Sequence, residues 1–364
     1  MNCTSSLSAK SLFTICARLA SKPSRRGFCL IATIKGDNIL SATTASGRGA
    51  HVGTIMLIRR AEVALKAAIS ALILAVSVTG AVAGLLEDAE AAFRRGDYGA
   101  AMRISRPLAD KGDARFQFLL GEMYQHGWGT PQDYAAAVSW FRKAADQGDA
   151  SSQYELGRMY VSGRGVPQDE TQGTEWTRKA ADQGHAGAQA LLAAMYATGQ
   201  GVPQDYTVAA SWFQKAANQG NADAQSVLGD LYYKGQGVAQ DYAAAMSWYR
   251  KAADQGNADA QHGLASLYYK GDGVAQDYAA ALIWYQRAAD QGNANSQVVL
   301  AAMYFLGQGV PKDNVTAYEW LSLAAARGAK NAEDMRNTVA AEMTSAQIAK
   351  AQRLVGEWKP KPER

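Results

Sequence analysis

The chain has 364 residues, of which 48% are hydrophobic and 19% charged, a composition that excludes a wholly disordered protein. The formal net charge is +4, but residues 1–83 carry 10 Lys and Arg against 2 Asp and Glu. The body, 84–364, keeps 27 basic and 31 acidic residues and so has a net charge of −4. Since a body of that charge has no basic excess to neutralise phosphates, we predict no nucleic-acid partner.

The three cysteines, Cys3, Cys16 and Cys29, all lie at the start of the chain. The body therefore has no thiol, which excludes a disulfide framework, a zinc–thiolate site and a cysteine nucleophile there.

An uncharged run follows the basic residues Arg59, Arg60 and Lys66, covers 67–86 and contains the sequence A-V-A ending at Ala83. This order of basic, apolar and small residues is typical of a secretory signal peptide cleaved after Ala83. An alternative is an inner-membrane anchor, because 20 uncharged residues are just long enough to span a bilayer.

Signal peptides begin close to the first Met, and here the basic region begins at Met56. We therefore expect residues 56–83 to be the signal peptide and 1–55 to be a disordered, misassigned extension. Both alternatives place the body outside the cytoplasm, and we predict a periplasmic or secreted protein.

The body repeats every 36 residues, and no insertion disturbs the register. A Trp recurs at Trp140, Trp176, Trp212, Trp248, Trp284 and Trp320, and a Gly recurs at Gly127, Gly163, Gly199, Gly235, Gly271 and Gly307. Six units fill 113–328, and a period of this length indicates a repeat array.

Each unit predicts two helices, as 221–256 illustrates. The first runs from about Ala222 to Tyr233 after an Asn221 cap and ends at Gly235; the second begins at an Asp241 cap and reaches Gln255. The expected buried stripe of the first helix is Ala222, Gln225, Leu228, Gly229 and Tyr232. That of the second is Ala244, Ser247, Trp248, Lys251 and Ala252.

The two ends of the array differ from the units. We expect a degenerate helix pair over 84–112, and two closing helices over Asn331–Met343 and Ser345–Trp358 in the segment 329–364. Ser345 is the expected cap of the last helix, and the tail after Trp358 is expected to fray. Together these features predict an all-α superhelical solenoid of six helix pairs with capping helices at both ends.

The units share the pattern A-x-x-Q-x-x-L-G-x-x-Y-x-x-G-x-G-V-x-x-D-x-x-x-A-x-x-W-x-x-K-A-A-x-Q-G. This pattern resembles the Sel1-like repeat, a relative of the tetratricopeptide repeat. The resemblance implies a concave binding surface and a role as an adaptor or scaffold for other proteins. Bacterial members include secreted or periplasmic regulators, and some cysteine-rich members are credited with penicillin binding or hydrolysis.

Nothing in the body predicts a catalytic or metal site. The Gly-x-Gly loops follow a helix and recur six times, which favours a turn over a phosphate-binding loop. His126, His185 and His262 occupy different repeat positions, and one Asp per unit stands where a helix cap is needed. We predict a non-enzymatic protein without a cofactor.

Positions identical in all six units, such as the Gln and Tyr rows, are expected to serve packing and hydrogen bonding between units. A specific partner requires positions that differ between units, so we take the face formed by the residues after Gln, Gly and Tyr of the first helices. The predicted partner-binding residues are Tyr154, Arg158, Ser226, Asp230, Tyr233, His262, Ser266 and Tyr269.

The sequence therefore predicts a monomeric scaffold or regulatory adaptor of the bacterial cell envelope that binds a protein or peptide in a concave groove. Two alternatives remain: an envelope hydrolase of the penicillin-binding or β-lactamase-like kind, and a glycan-binding module that stacks sugars on Tyr and Trp rings.

Overall fold

A computed structural model of the protein describes residues 84–361, together with three strands nearer the N-terminus, and divides the chain into two units, 1–82 and 83–364. The strands form one antiparallel sheet in the order β1-β2-β3, with an irregular register beside Thr33. Their bounds are Phe13–Ala17 for β1, Leu30–Lys35 for β2 and Asn38–Thr44 for β3.

These strands differ from the disordered extension expected for 1–55, and their β-branched and apolar composition favours extended backbone. The predicted signal peptide, 56–83, lies outside the described residues, so the start at Met56 and the cleavage site stay predictions. No helix within 84–361 has both the length and the apolar character needed to cross a bilayer.

Residues 84–361 fold into sixteen helices that pack in sequential pairs, which confirms the all-α solenoid. Before the repeats, α1 covers 84–94 and α2 covers Tyr98–Asp110. The first helices of the six units are α3 Ala114–His126, α5 Ala150–Ser162, α7 Ala186–Thr198, α9 Ala222–Lys234, α11 Ala258–Lys270 and α13 Ala294–Leu306. The second helices are α4 Tyr134–Ala145, α6 Glu170–Asp182, α8 Tyr206–Asn218, α10 Tyr242–Ala253, α12 Tyr278–Asp290 and α14 Asn314–Ala326.

Capping residues set the ends of these helices, as predicted. The side chain of Asn221 accepts a hydrogen bond from the amide of Ala224 at 2.8 Å, and that of Asp241 accepts one from Ala244 at 2.9 Å. Gly235 then ends α9 with φ of 66°, a left-handed conformation that glycine adopts without strain.

The buried stripe predicted for α9 is correct in part, since Gln225, Leu228 and Gly229 are buried, whereas Ala222 and Tyr232 are intermediate. The stripe predicted for α10 is shifted by about one residue. Ala245, Tyr249, Ala252 and Ala253 are the buried residues of α10, whereas Ser247 and Lys251 are exposed, Ala244 is intermediate and Trp248 is only partly buried.

The close contact between α9 and α10 explains this shift. A Cβ atom on Gly229 would overlap the ring of Tyr249, so the glycine admits the tyrosine between the helices. Tyr249, and not Trp248, therefore sets the phase of α10. Trp248 lies at the edge, with the ammonium group of Lys251 3.9 Å from its ring centroid.

At the C-terminal end, α15 covers Ala332–Ala340 and α16 covers Ser345–Glu357, and both pack against α14. Thr344, and not Ser345, caps α16, because its hydroxyl and the Gln347 side chain form a reciprocal capping box. The expected fraying is also wrong for the described part of the tail. The amide of Lys361 donates a hydrogen bond to the carbonyl of Asp290 at 2.8 Å.

The first helices of adjacent units approach each other most closely in units four and five. There α9 and α11 contact each other directly, while no pair of second helices within 84–361 does so to the same extent. Equivalent positions of these two first helices therefore come side by side.

Candidate functional site

The inner face is defined here as the residues that follow the Gln, Gly or Ala, and Tyr positions of each first helix. Its composition changes from unit to unit. In chain order its members are Phe118, Glu122 and Gln125; Tyr154, Arg158 and Val161; Ala190, Ala194 and Ala197; Ser226, Asp230 and Tyr233; His262, Ser266 and Tyr269; and Val298, Ala302 and Phe305. Units three and six are apolar here, and the other four carry the polar side chains.

The fourth and fifth units share a hydrogen-bonded group of side chains. Lys270 donates to the hydroxyl of Tyr233 at 2.9 Å, and that hydroxyl donates to Asp272 at 2.8 Å. Tyr249 donates to Asp230 at 2.5 Å. Its burial and the charge of Asp230 raise the pKa of Tyr249 well above its usual range, so the hydroxyl keeps its proton.

The predicted residues of the fifth unit lie beside this group. The Nδ1 atom of His262 is 2.9 Å from the hydroxyl oxygen of Ser296, and the His262 ring packs edge-on against Tyr285. Burial lowers the pKa of His262, so its neutral form is favoured. Ser266 shares a hydrogen bond with Tyr285, whose pKa burial raises to about 12.

Three of the predicted residues, Tyr233, Tyr269 and Ser226, have polar atoms that are hydrogen-bonded to the next unit or buried. The hydroxyl of Tyr269 donates to Gln308 of the next unit at 2.9 Å, as Tyr233 does to Asp272. Ser226 is only 5% exposed, so it lies beneath the inner face and not on it. Tyr233 and Tyr269 thus connect neighbouring units, and both remain half-buried.

Tyr154 and Arg158 form a separate group in the second unit. The Nη1 atom of Arg158 lies 3.0 Å and 3.1 Å from the two carboxylate oxygens of Glu155, and its guanidinium carbon is 5.5 Å from the Tyr154 ring centroid. The Tyr154 ring stacks on His185 with centroids 4.8 Å apart. The apolar third unit separates this group from the one around Asp230.

Glu122, in the first unit, was not among the predicted residues although it occupies the same row as Arg158. Its Oε1 atom is buried and has no hydrogen-bond partner within the described residues. Its Oε2 atom is 3.8 Å from Nε2 of His126. Burial, followed by the negative charge of Glu155, raises the pKa of Glu122 to about 7.

Tyr249 and Tyr285 were not predicted as part of the site, because both lie on second helices, whose large side chains were assigned to the core. Phe141 and Phe213 occupy the equivalent position in units one and three. Tyrosine stands there where the inner face offers a polar partner, Asp230 or Ser266. Comparison of this row with the inner-face row would have found the pairing.

The rows that are identical in every unit bond one unit to the next, as predicted. The Gln225 side-chain amide donates to the carbonyl of Ala217 at 3.0 Å, and its oxygen accepts from Gln255 at 2.8 Å. In the Tyr row, the hydroxyl of Tyr268 accepts from Arg250 of the preceding unit at 3.2 Å. Equivalent bonds of both kinds recur along the array.

The positions of the titratable side chains within 84–361 offer little support for a catalytic role. No three His, Asp or Glu side chains of residues 84–361 are grouped as metal ligands are. His126 stacks on Trp128, His185 caps α7 through a bond from the Ala188 amide, and His262 is paired with Ser296. Since Ser296 is fully buried, a substrate carbonyl cannot reach its hydroxyl.

Comparison with known proteins yields one family. The Sel1 repeat family matches residues 114–149, 150–185, 186–221, 222–257, 258–293 and 294–328. No curated protein matches the chain.

One solved structure agrees with this match, and two others are similar to this chain to a lesser extent. A Sel1 repeat protein from Oxalobacter formigenes is 32% identical, with a TM-score of 0.62 over 66% of this chain and 96% of that one. A protective antigen of uropathogenic Escherichia coli strains with an SLR fold is 30% identical over 71% of each chain, with a TM-score of 0.32. An immunity protein from Pseudomonas aeruginosa is 22% identical over 62% of this chain and 83% of that one, with a TM-score of 0.39.

Proposed function

Because the chain belongs to the Sel1 repeat family, whose repeats generally serve as protein–protein interaction scaffolds, we propose that it is a non-enzymatic scaffold or adaptor of the bacterial cell envelope. In this proposal a partner protein or peptide binds along the inner face, and the chain itself is a monomer.

One observation carries the proposal: the chemical character of the inner face changes from unit to unit. The Gln and Asp rows are the same in every unit because each unit needs the same bond to its neighbour and the same cap. The inner-face row that follows the Gly or Ala position reads Glu, Arg, Ala, Asp, Ser and Ala from the first unit to the sixth. A surface whose side chains differ along its length can recognise one partner in one register.

The residue types on this face also favour protein recognition. Tyr and Arg are the side chains that most often dominate binding energy, because they combine a large contact area with several hydrogen-bond donors. Tyr233 and Tyr269 are half-buried and held by bonds to the next unit, so little conformational entropy is lost when a partner covers them.

The proposal is tested by capture of partners from envelope extract on the full chain, comparing the wild type with Tyr233→Ala and His262→Ala. Each substitution is expected to weaken capture by about 1–3 kcal/mol. The matched control is Ile283→Ala, which shortens a side chain that is 55% exposed on the second helix α12. Normal capture by both inner-face variants together with loss of capture by Ile283→Ala would place the working surface on the second helices.

Two further measurements address the alternatives. Turnover of nitrocefin by the purified wild type would favour the hydrolase, and retention on purified cell-wall glycan would favour the glycan-binding module.

The proposed location rests on the sequence of 56–83. N-terminal sequencing of protein from the envelope fraction should find a start near Gly84, whereas a start at Met1 or Met56 would contradict cleavage.

A further inference from the structure

A small cleft opens on the inner face between α3, α5 and α7, with a volume of about 250 Å³. Its apolar wall consists of Met159, Val161 and Leu191, and its polar residues are Gln125, Glu155, Arg158, Ser162 and Arg164. This volume is smaller than the roughly 300–1,000 Å³ of typical small-molecule sites, so it suits one side chain of a larger partner.

Two guanidinium groups converge on the cleft, and each is the only arginine in its row. Arg158 has Glu, Ala, Asp, Ser and Ala at the equivalent positions of the other units. Arg164 is the middle residue of a Gly-x-Gly loop, where the other units have Trp, Gln, Gln, Asp and Gln. The second unit thus brings together two cations that the repeat pattern does not require.

The two arginines retain free donors. Arg158 uses Nη1 on Glu155, which leaves its other N–H groups available. The Arg164 guanidinium lies 5.9 Å from the Tyr134 ring centroid and makes no side-chain hydrogen bond or ion pair with any residue in 84–361. Since Glu155 is the single carboxylate among the lining residues, the cleft has one excess positive charge in a body whose net charge is −4.

We propose that this cleft receives the carboxylate of an Asp or Glu side chain from an extended segment of the partner protein. The proposal rests on the inner face being the binding surface. Arginine suits this role because its planar donors match the two oxygens of a carboxylate. The neighbouring unit adds a second requirement, because Ala190, Ala194 and Ala197 offer an apolar surface. The segment therefore carries apolar residues next to its acidic residue.

The test measures binding of fluorescent model peptides to the full chain by anisotropy. The peptides are blocked at both ends and carry a central Glu, Gln or Lys followed by two Leu residues. A fourth peptide has the central Gln and a free C-terminal carboxylate, which distinguishes a side chain from a chain end. The Glu peptide is expected to bind about tenfold or more tightly than the Gln peptide and to lose this advantage at high salt.

Arg164→Gln and Arg158→Ala are each expected to remove most of the preference for Glu over Gln. The fold tolerates both changes, since Gln200 and Gln236 occupy the loop position and Ala194 the helix position in other units. The matched control, Gln236→Arg, adds a guanidinium to a loop without this cleft and should create no new preference.

Three outcomes would overturn the proposal: equal binding of the Glu and Gln peptides, absence of Glu-peptide binding at millimolar concentration, or tightest binding of the free carboxylate peptide. Any of these would leave the broader scaffold function intact if Tyr233→Ala still weakens partner capture. Conversely, the preference for Glu over Gln could depend on both arginines while no inner-face substitution changes partner capture. In that case the cleft binds a carboxylate, but the inner face is not the surface that captures the partner.

Discussion

The side-chain amide of Gln225 donates to the main-chain carbonyl of Ala217 at 3.0 Å, so a residue of one unit closes the last turn of the helix before it. The Gln225 oxygen accepts from Gln255, whose side chain follows the next helix. A single buried amide thus joins two successive second helices. This double use explains why every unit has Gln at this position, since a shorter side chain cannot reach both partners.

Gln225→Leu tests this role. The substitution removes two hydrogen bonds, although the Ala217 carbonyl still accepts from Gly220 and the Gln255 amide still donates to Lys251. We expect it to lower the free energy of unfolding by about 1–3 kcal/mol. Urea denaturation of the full chain measures the change.

Gln297→Leu is the matched control. Gln297 donates to Ala289 at 3.1 Å, but its oxygen has no partner among residues 84–361, because Arg327 stands where the other units have the donor Gln. We expect Gln297→Leu to lower the free energy of unfolding less than Gln225→Leu does. The difference should be about 0.5–1.5 kcal/mol, the contribution of one hydrogen bond. Equal losses would show that the bond from the following Gln contributes nothing.

The pairing of Tyr249 with Asp230 gives a second prediction. Tyr249→Phe retains the ring that packs on Gly229 and removes only the hydroxyl, and units one and three already have Phe here. We expect a loss of about 0.5–1.5 kcal/mol in the free energy of unfolding.

A double-mutant cycle with Asp230→Ala isolates the interaction of this pair. The two substitutions should be less than additive, because either one already removes the 2.5 Å bond. Full additivity would mean that the contact does not stabilise the fold.

Glu122 predicts a dependence of stability on pH. Its pKa rises from 4.5 to about 7 on folding, so between these values the folded chain holds a proton that the unfolded chain releases. The free energy of unfolding therefore falls as pH rises through this window, by at most about 3 kcal/mol.

Glu122→Gln should remove this contribution, so the variant should gain stability over the wild type between pH 5 and pH 8. The difference between the two proteins in urea midpoint at each pH isolates Glu122 from other titrating groups. A constant difference across the two pH values would contradict the raised pKa.

The sequence predicted those features of the fold that every unit needs. Asp241, Asn221 and Gly235 were assigned correctly because capping and left-handed turns are local requirements of one residue type. The phase predicted for α10 was wrong because Trp248, the largest side chain, was placed at the centre of the stripe. The helices approach so closely at Gly229 that the centre belongs to Tyr249.

The candidate site was less accessible to sequence analysis, because it depends on contacts between units. Glu155 pairs with Arg158 on its own helix, and its negative charge helps to raise the pKa of Glu122 on the first helix of the preceding unit. Ser226 was placed on the inner face by helical rotation alone, and the packing of neighbouring side chains buries it. The period identifies residues 36 positions apart as neighbours, but it does not give the direction in which each side chain points.

The tryptophan row gives the last prediction, because its members are buried to different extents. Trp320 is 5% exposed and contacts Trp358 edge-on with ring centroids 6.4 Å apart. Trp320→Ala should therefore leave a cavity and cost about 3–5 kcal/mol.

Trp248 is partly exposed and its ring is covered on one side by Lys251. Solvent already reaches this ring, so Trp248→Ala should create less cavity and cost less than Trp320→Ala, about 1–3 kcal/mol. Both variants are compared by urea denaturation followed by far-UV circular dichroism. If Trp248→Ala proved the more destabilising of the two, the tryptophan would be the centre of the helix contact after all, and the role assigned to Tyr249 would be wrong.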